Sequence, residues 1–410
     1  MEQQSRLNVP ERLRMWPVYS MGFFCLSIQP MMSLLIPLWA LSLDASPLLI
    51  GLSVSAGSIL PALFSINSGA VIDRLGSKAV LRYSPVIIAV IASLYALFPF
   101  ISVVIVMQLF FGFIQSMSWI SAQTHVAKLN RQAGNNHYAS TFSFAVSLGS
   151  FCGPLVTGLA WDFLGPWAAF TCVSAWCLCL WLSALLVPME RNAAQAQQSP
   201  NLKQLLPDWR DYRNAIALLA IPAVVVVIYG TFMRLSSSSI RSSFYLVFLD
   251  QIHFSASAIA TIVSVHALAG TFGSLAVPLL SRYFQSATIL FAAVAISIMP
   301  FCIVPLFTAY WSQFTLMLVS GFGLGMTLPV LIAMLGNAVS PKKQGIAIGL
   351  RTSANYTASF TIPLLFGIFV QMFGLTSSFY IIGALLLVPM LAAVPLALRN
   401  LSNKGTSLPQ

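Results

Sequence analysis

Two arginines, Arg234 and Arg241, lie inside one long apolar segment in the second half of the chain. A charged side chain in such a segment is costly and usually has a function. The two residues are seven positions apart, nearly two helical turns, so a helix would present both on one face, roughly 10 Å apart. Guanidinium groups suit bidentate recognition of carboxylate or phosphate groups. The pair therefore predicts an anion-binding stripe.

Four consecutive serines, Ser236–Ser239, lie between these arginines and can hydrogen-bond a solute or loosen the helix. The alternative to anion binding is that Arg241 extends to the outer surface while Arg234 bonds backbone carbonyls at a kink. A third arginine, Arg351, lies near the start of another apolar segment. It could reach the inner surface of a membrane or contact a solute.

Neutral polar side chains occupy other apolar segments, where an unpaired amide is costly in lipid. Gln108 and Gln115 are again seven residues apart, and Gln29 lies in the first apolar segment. Such amides are expected to face a wet cavity or another helix, and the same holds for Asn355 and Tyr356. We predict that all five side chains contribute to a substrate-binding cavity.

His266 is the only histidine clearly inside an apolar segment. An imidazole can carry a coupling proton near neutral pH, but a histidine that only packs between helices explains this position equally well. The sequence contains no zinc-ligand spacing, nucleotide-binding P-loop or dinucleotide fingerprint. No metal, cofactor or catalytic residue is therefore expected, and the longest polar stretch is far too short for an ATP-hydrolysing domain.

The elements that position these residues must lie in a membrane, because only 7% of the 410 residues are charged and 58% are apolar. Soluble domains carry about 25% charged residues. The apolar runs are continuous and longer than the alternating strands of roughly ten residues that build membrane barrels. We therefore predict an all-α integral membrane protein. The 6 cysteines all lie in apolar stretches and imply no disulfide framework.

Twelve apolar segments are long enough to cross a bilayer core, which needs roughly 20 residues per helix. The predicted spans are 17–41, 48–72, 80–99, 101–122, 138–160, 166–188, 215–244, 255–279, 286–307, 313–336, 346–371 and 378–398. They form two groups of six. The predicted organisation is an N-terminal segment 1–16, a six-helix bundle 17–188, a linker 189–213, a second six-helix bundle 214–398 and a tail 399–410.

The positions of the 20 basic residues support this division. If the N-terminus is cytoplasmic, 17 of them fall in inside segments, while the outside loops hold the acids Asp44, Asp162 and Asp250. Basic residues concentrate in cytoplasmic loops, so both ends of the chain are predicted to be cytoplasmic, in an inner (plasma) membrane. The net charge of +11 is then a feature of topology, and no nucleic-acid partner is expected. The expected partners are the lipid bilayer, a small solute and a coupling ion such as a proton, with the chain as a monomer.

The segment between the second and third predicted spans reads Gly69-Ala-Val-Ile-Asp73-Arg74-Leu-Gly76-Ser-Lys78. It resembles the GxxxDRxGR/K signature of the major facilitator superfamily, in position as well as in sequence. The resemblance implies two six-helix bundles around a central cavity, lined by helices one, four, seven and ten, that work by alternating access. It also implies that this cluster forms a conformational latch between the two halves, with Arg351 as a candidate partner.

The fifth predicted span reads Gly149-Ser-Phe-Cys-Gly153-Pro154-Leu-Val-Thr-Gly158. It resembles the GxxxGPxxGG motif of family members that export by antiport, with a threonine in place of one glycine. The resemblance favours export, although small residues at this spacing also serve ordinary helix packing. The fourth span departs from the exporter pattern, because Gln108 lies where an arginine is expected, and a neutral amide cannot tune a carboxylate as that arginine does.

Together these features predict a secondary active transporter that exports a small organic metabolite or drug with anionic or zwitterionic character. None of the 9 acidic residues is clearly in mid-membrane, whereas exporters of cations need a buried acid. One alternative is an importer of an organic anion, such as a carboxylate metabolite or a siderophore. Another is a membrane enzyme or receptor without transport, which would need a catalytic constellation that the sequence does not offer.

Overall fold

The computed structural model describes residues 11–64, 72, 77–133, 137–187, 213, 215–340 and 343–402. These residues contain no strand, and twelve of their helices are long and apolar enough to cross a membrane. The helices are α1 Glu11–Ser42, α2 Pro47–Phe64, α3 Ser77–Leu97, α4 Ile101–Ala133, α5 His137–Leu164, α6 Pro166–Leu186, α7 Pro222–Gln251, α8 Ala256–Leu280, α9 Ser286–Ile303, α10 Tyr310–Ala338, α11 Gln344–Phe373 and α12 Leu375–Ser402. The predicted all-helical membrane fold is confirmed.

Within each bundle, the connections that the structure describes are short, so that the helices they join run antiparallel across the membrane. A single glycine separates α5 from α6 and α11 from α12, and both Gly165 and Gly374 have a positive φ that a side chain would disfavour. We call the membrane side on which α1 begins and α12 ends the terminal side, and the opposite side the distal side. Both single-glycine connections lie on the distal side.

Two hydrophobic cores correspond to the two predicted groups of six helices. The first core belongs to α1–α6 and includes the fully buried rings of Tyr95 and Phe170. The second core is centred on α7–α12, where the rings of Phe244 and Phe366 stack with centroids 4.8 Å apart. Each group therefore packs as a bundle with its own interior, and the second core also includes buried residues near the distal ends of α1 and α2, such as Leu38.

Paired glycines hold two helices together at equivalent places in the two bundles. Gly112 of α4 lies against the backbone of Gly57 in α2, and Gly325 of α10 lies against the backbone of Gly270 in α8. The partners are separated by the same distance in sequence, from 57 to 112 and from 270 to 325. The second bundle therefore repeats the helix packing of the first, as expected for parallel structural repeats.

Replacing Gly112 with alanine is expected to destabilise the protein, because the added Cβ would overlap the backbone of Gly57. Overpacking of this kind costs about 1–3 kcal/mol. Gly336→Ala is the matched control, since a Cβ there meets nothing within 4 Å and alanine is the better helix former. Melting temperatures of the purified proteins should fall for Gly112→Ala and stay or rise for Gly336→Ala. Equal effects at both positions would contradict the close packing.

The bounds of α7 correct the prediction for the seventh span, which placed it at 215–244. The helix begins at Pro222, whose fixed φ suits the first helical turn, and the apolar run Leu246–Leu249 carries it on to Gln251. Arg241 therefore lies well inside the membrane-spanning helix. The alternative in which its side chain extends to the outer surface depended on a helix end close to residue 244 and does not fit this geometry.

Candidate substrate cavity

A cavity of about 520 Å³ lies between the two bundles, at the middle of the membrane-spanning helices. Pockets of roughly 300–1,000 Å³ accommodate small organic ligands. Its lining comes from α1, α2, α4 and α5 of the first bundle and from α7, α8, α10 and α11 of the second. The four helices expected from the resemblance, one, four, seven and ten, all contribute, and four further helices complete the wall.

Arg234 and Arg241 both line this cavity from α7. The Nε atom of each guanidinium is buried without a hydrogen-bond partner. None of the acidic residues in the described part of the chain lies among the residues that line the cavity. The cavity wall therefore carries two positive charges that the surrounding wall does not neutralise.

A π-helical turn, Arg241–Tyr245, interrupts α7 at the cavity. Such turns are rare and are frequent at functional sites. The Ser243 hydroxyl donates to the Ser239 carbonyl at 2.6 Å, and the Tyr245 hydroxyl donates to Oε1 of Gln313 on α10 at 3.1 Å. These bonds fix the turn, which sets the direction of Arg241. Sequence reasoning recognised that the serine run could loosen this helix but did not predict the π turn.

His266 lines the cavity from α8, where its Nε2 atom is buried without a partner. Its imidazole is close enough to Arg234 and Arg241 for their charges to act on it. Its backbone packs tightly against Gly321 of α10. The histidine thus belongs to the same cationic wall as the two arginines, and its main chain also takes part in the helix packing that the sequence offered as the alternative.

The three glutamines predicted to face a cavity all line it, from the first bundle. Gln115 donates from Nε2 to the carbonyl of Cys25 at 2.8 Å, close to Pro30, which interrupts the hydrogen bonding of α1. Gln115 thus meets both expectations, since it bridges two helices and also lines the cavity. The Oε1 atoms of Gln108 and Gln115 are buried without a partner.

The two residues predicted on α11 are placed differently from each other. Tyr356 lines the cavity, and its hydroxyl lies close to Ser116 of α4 in the other bundle. Asn355 is not among the lining residues, and its Oδ1 atom is buried without a partner. The structure therefore places Tyr356 in the same cavity lining as the arginines and glutamines, whereas Asn355 is not part of that lining.

The predicted conformational latch lies largely outside the described residues. This holds for Gly69, Asp73, Arg74 and Gly76, and for the side chain of Lys78. Arg351 is described on α11, where it is partly buried and close enough to Arg234 for its charge to act on that residue. It does not line the cavity. Its pairing with the latch stays a prediction.

The helix-five motif packs closely against helices of both bundles. Gly149 and Gly153 lie against α1, and Gly158 lies against Ala256 and Ala260 of α8. Pro154 is buried within α5. Gly149 and Gly153 therefore allow α5 to pack closely on α1 within the first bundle, and Gly158 allows α5 to meet α8 of the second bundle.

A second set of contacts joins the bundles on the distal side, and sequence reasoning missed it. The Asp162 carboxylate at the end of α5 accepts hydrogen bonds from the backbone N–H groups of Ala256 at 2.9 Å and Ser257 at 2.8 Å, which open α8. Gly51 of α2 packs against the backbones of Pro363 and Gly367 in α11. These contacts lie between the cavity and the distal surface, so the bundles are closed together on that side.

The sequence profile of the Major Facilitator Superfamily matches residues 16–312 and 230–410. No curated protein matches at a significant level. Similar solved structures include a point mutant of the nucleoside transporter NupG, with a TM-score of 0.78, 16% identity and coverage of 92% of this chain and 98% of that one. Another structure of NupG has a TM-score of 0.74, 17% identity and coverage of 94% and 99%. The human organic anion transporter MFSD10 (TETRAN) has a TM-score of 0.59, 17% identity and coverage of 94% and 99%.

The fold and the central cavity define a helical membrane transporter built from two repeated bundles. Since the profile matches almost the whole chain, the protein belongs to the Major Facilitator Superfamily. It is therefore a transporter of small molecules and not an enzyme. The solved structures are less than 20% identical to this chain, so their likeness establishes the fold alone.

Proposed function

We propose that this protein is a secondary active transporter that works by alternating access and exports a small organic solute of anionic or zwitterionic character. The observation that carries the proposal is the pair Arg234 and Arg241, which face a central cavity without a carboxylate partner in its wall. A cavity of about 520 Å³ suits a small organic molecule.

The energetics of buried charge explain why an anion is the expected ligand. An ion taken out of water without a partner is strongly unfavourable, and two like charges near one another increase the cost. A solute with a carboxylate or phosphate group would supply the missing partner and form charge-assisted hydrogen bonds with the guanidinium groups. Among the structural neighbours, MFSD10 is described as an organic anion transporter, which agrees with this charge, whereas NupG is described as a nucleoside transporter.

The distal contacts support alternating access as the mechanism. The two bundles meet on the distal side through Asp162 and through Gly51, and the cavity lies beyond these contacts. Exposure of the cavity to the distal side requires that these contacts break while others form on the terminal side. The latch predicted from the sequence at Asp73 and Arg74 falls between α2 and α3, outside the described residues, and we expect it to hold the opposite state.

The experiment that tests the proposal is transport by the purified protein in liposomes. A panel of radiolabelled organic anions, cations and neutral solutes of similar size should show flux for anions only. Flux of cations or neutral solutes but not of anions would contradict the proposal. Direction is tested in cells that overexpress the protein, where depletion of the transported anion supports export and its accumulation favours the import alternative.

The proposal also includes the orientation of the protein in the membrane, because export is a direction defined relative to the cytoplasm. We propose that the terminal side is cytoplasmic. The 17 basic residues assigned to inside segments support this orientation. A reporter that is active only in the cytoplasm should be active when fused to either end of the chain. The same reporter fused within the α5–α6 connection at Gly165 should be inactive.

We propose His266 as the residue that carries a coupling proton, since it faces the cavity, where the charge of a bound anion would offset those of Arg234 and Arg241 and favour its protonation. His266→Gln is expected to abolish solute accumulation driven by a pH gradient while solute exchange at equal pH continues. The control is His253→Asn, since His253 is exposed between α7 and α8, lies away from the cavity lining, and has a φ of 64° that asparagine tolerates. Retention of gradient-driven accumulation in His266→Gln would assign this histidine to packing.

A further inference from the structure

The two walls of the cavity differ in charge. The wall from the second bundle carries Arg234 and Arg241 together with His266. The wall from the first bundle is neutral, and its polar side chains are glutamines and serines such as Gln29, Gln108 and Ser150. A solute bound between the bundles would therefore meet cationic groups at one end and uncharged hydrogen-bonding groups at the other.

The glutamine amides on the neutral wall keep hydrogen-bonding capacity that the protein does not use. Gln108 is only 6% exposed, and its Oε1 atom has no partner. Gln108 lines the cavity beside Gly57, and its Oε1 atom is buried in the cavity wall, so a solute reaches that atom when the amide group rotates toward the cavity. The amide of Gln115 is held in place by its bond to the Cys25 carbonyl, and its Oε1 atom also lacks a partner.

The neutral wall offers no carboxylate among the described residues that line it. An ammonium group placed there would lose its hydration without gaining an opposite charge, which is costly. A second carboxylate would meet amides that can donate but no cation. A hydroxyl or an amide N–H, by contrast, can donate to the unpartnered oxygens of Gln108 and Gln115 at little desolvation cost.

We infer that the transported solute is a bipolar organic anion, with an acidic group at one end and an uncharged hydrogen-bond donor at the other. The acidic group lies against Arg234 and Arg241, and the donor lies against Gln108. This inference rests on the proposed function and narrows it, because it excludes zwitterions whose ammonium group lies at the end opposite the acidic group and would face the neutral wall. Gln108 is the residue that determines specificity for the uncharged end.

Binding of a matched series of acids to the purified protein tests the inference. The series consists of hexanoate, 6-hydroxyhexanoate, 6-aminohexanoate and adipate, which share one chain length and differ only at the far end. Calorimetry should give the tightest binding for 6-hydroxyhexanoate, about two- to tenfold tighter than for hexanoate, as expected for one added hydrogen bond. The aminohexanoate and adipate should bind more weakly than the hydroxy acid.

Gln108→Leu should remove the preference for 6-hydroxyhexanoate over hexanoate while both acids still bind. Gln371→Leu is the control, since Gln371 is exposed at the distal end of α11 and lies away from the cavity lining. A preference that survives in Gln108→Leu, or tightest binding of 6-aminohexanoate or adipate, would overturn the inference and leave the proposed function in place. Failure of all four acids to bind the wild-type protein would overturn the inference, and only this failure together with absence of anion flux in liposomes would contradict the proposed function itself.

Discussion

Arg234→Gln is expected to lower anion transport about ten- to hundredfold and, at the same time, to raise the melting temperature of the empty protein. Charge-assisted hydrogen bonds contribute about 1.5–3 kcal/mol each, and loss of one or more of them from the bound solute accounts for the drop in transport. The gain in stability has a separate cause, because a neutral amide removes a buried positive charge that lies close to Arg351.

A fall in transport together with a rise in melting temperature distinguishes an arginine that binds the solute from an arginine that stabilises the fold. A structural arginine would lose stability on replacement, since its partners would be left unsatisfied. Arg282→Gln is the matched control, because Arg282 is exposed in the connection between α8 and α9. Transport rates in liposomes and melting curves with and without an organic anion would be compared. Unchanged transport in Arg234→Gln, or a fall in stability without loss of binding, would contradict the assignment.

The same reasoning predicts effects of different size on replacement of Arg241 and of Arg351. Arg241 lines the cavity, so Arg241→Gln is expected to reduce transport as Arg234→Gln does. Arg351 does not line it but acts on Arg234 through its charge. Its replacement would lower the repulsion on Arg234 without removing a direct contact, so the effect on solute affinity should be smaller.

The sequence was sufficient to predict the features that depend on composition and local spacing. Twelve helices follow from continuous apolar runs, and spacing within single helices places Arg234 with Arg241 and Gln108 with Gln115 on one face. That these faces and Gln29 meet at one cavity is what the resemblance to the superfamily implied. The observed bounds of helix seven differ from the predicted ones because Pro222 starts the helix and the apolar run Leu246–Leu249 continues it. That shift decided where Arg241 lies in the membrane.

Features that depend on contacts between distant segments could not be predicted in the same way. The bond from Gln115 to the Cys25 carbonyl joins residues 90 positions apart, and the bonds from Asp162 to α8 join residues 94 and 95 positions apart. Asp162 looked like an ordinary acid in an outside loop, because the sequence does not indicate which helix N-terminus lies next to it. The π turn at Arg241 likewise depends on the Tyr245–Gln313 bond between α7 and α10.

Replacement of Asp162 is expected to open the distal side of the transporter. Its carboxylate accepts two hydrogen bonds from the first turn of α8, where backbone N–H groups lack partners within the helix and the helix dipole favours a negative charge. Loss of such a contact costs about 1 kcal/mol, which corresponds to about a fivefold shift of a conformational equilibrium. Asp162→Ala removes both bonds and the charge, whereas Asp162→Asn keeps one acceptor oxygen and should have a smaller effect.

Distances between spin labels at the distal ends of the two bundles would measure this shift. Labels at positions 167 and 311 are suitable, because Trp167 of α6 and Trp311 of α10 are both exposed there. The fraction with a long distance should increase from wild type to Asp162→Asn to Asp162→Ala. Asp44→Asn is the control, since Asp44 lies on the same side and asparagine tolerates its φ of 53°. Identical distance distributions in wild type and Asp162→Ala would show that the glycine contacts alone close the distal side.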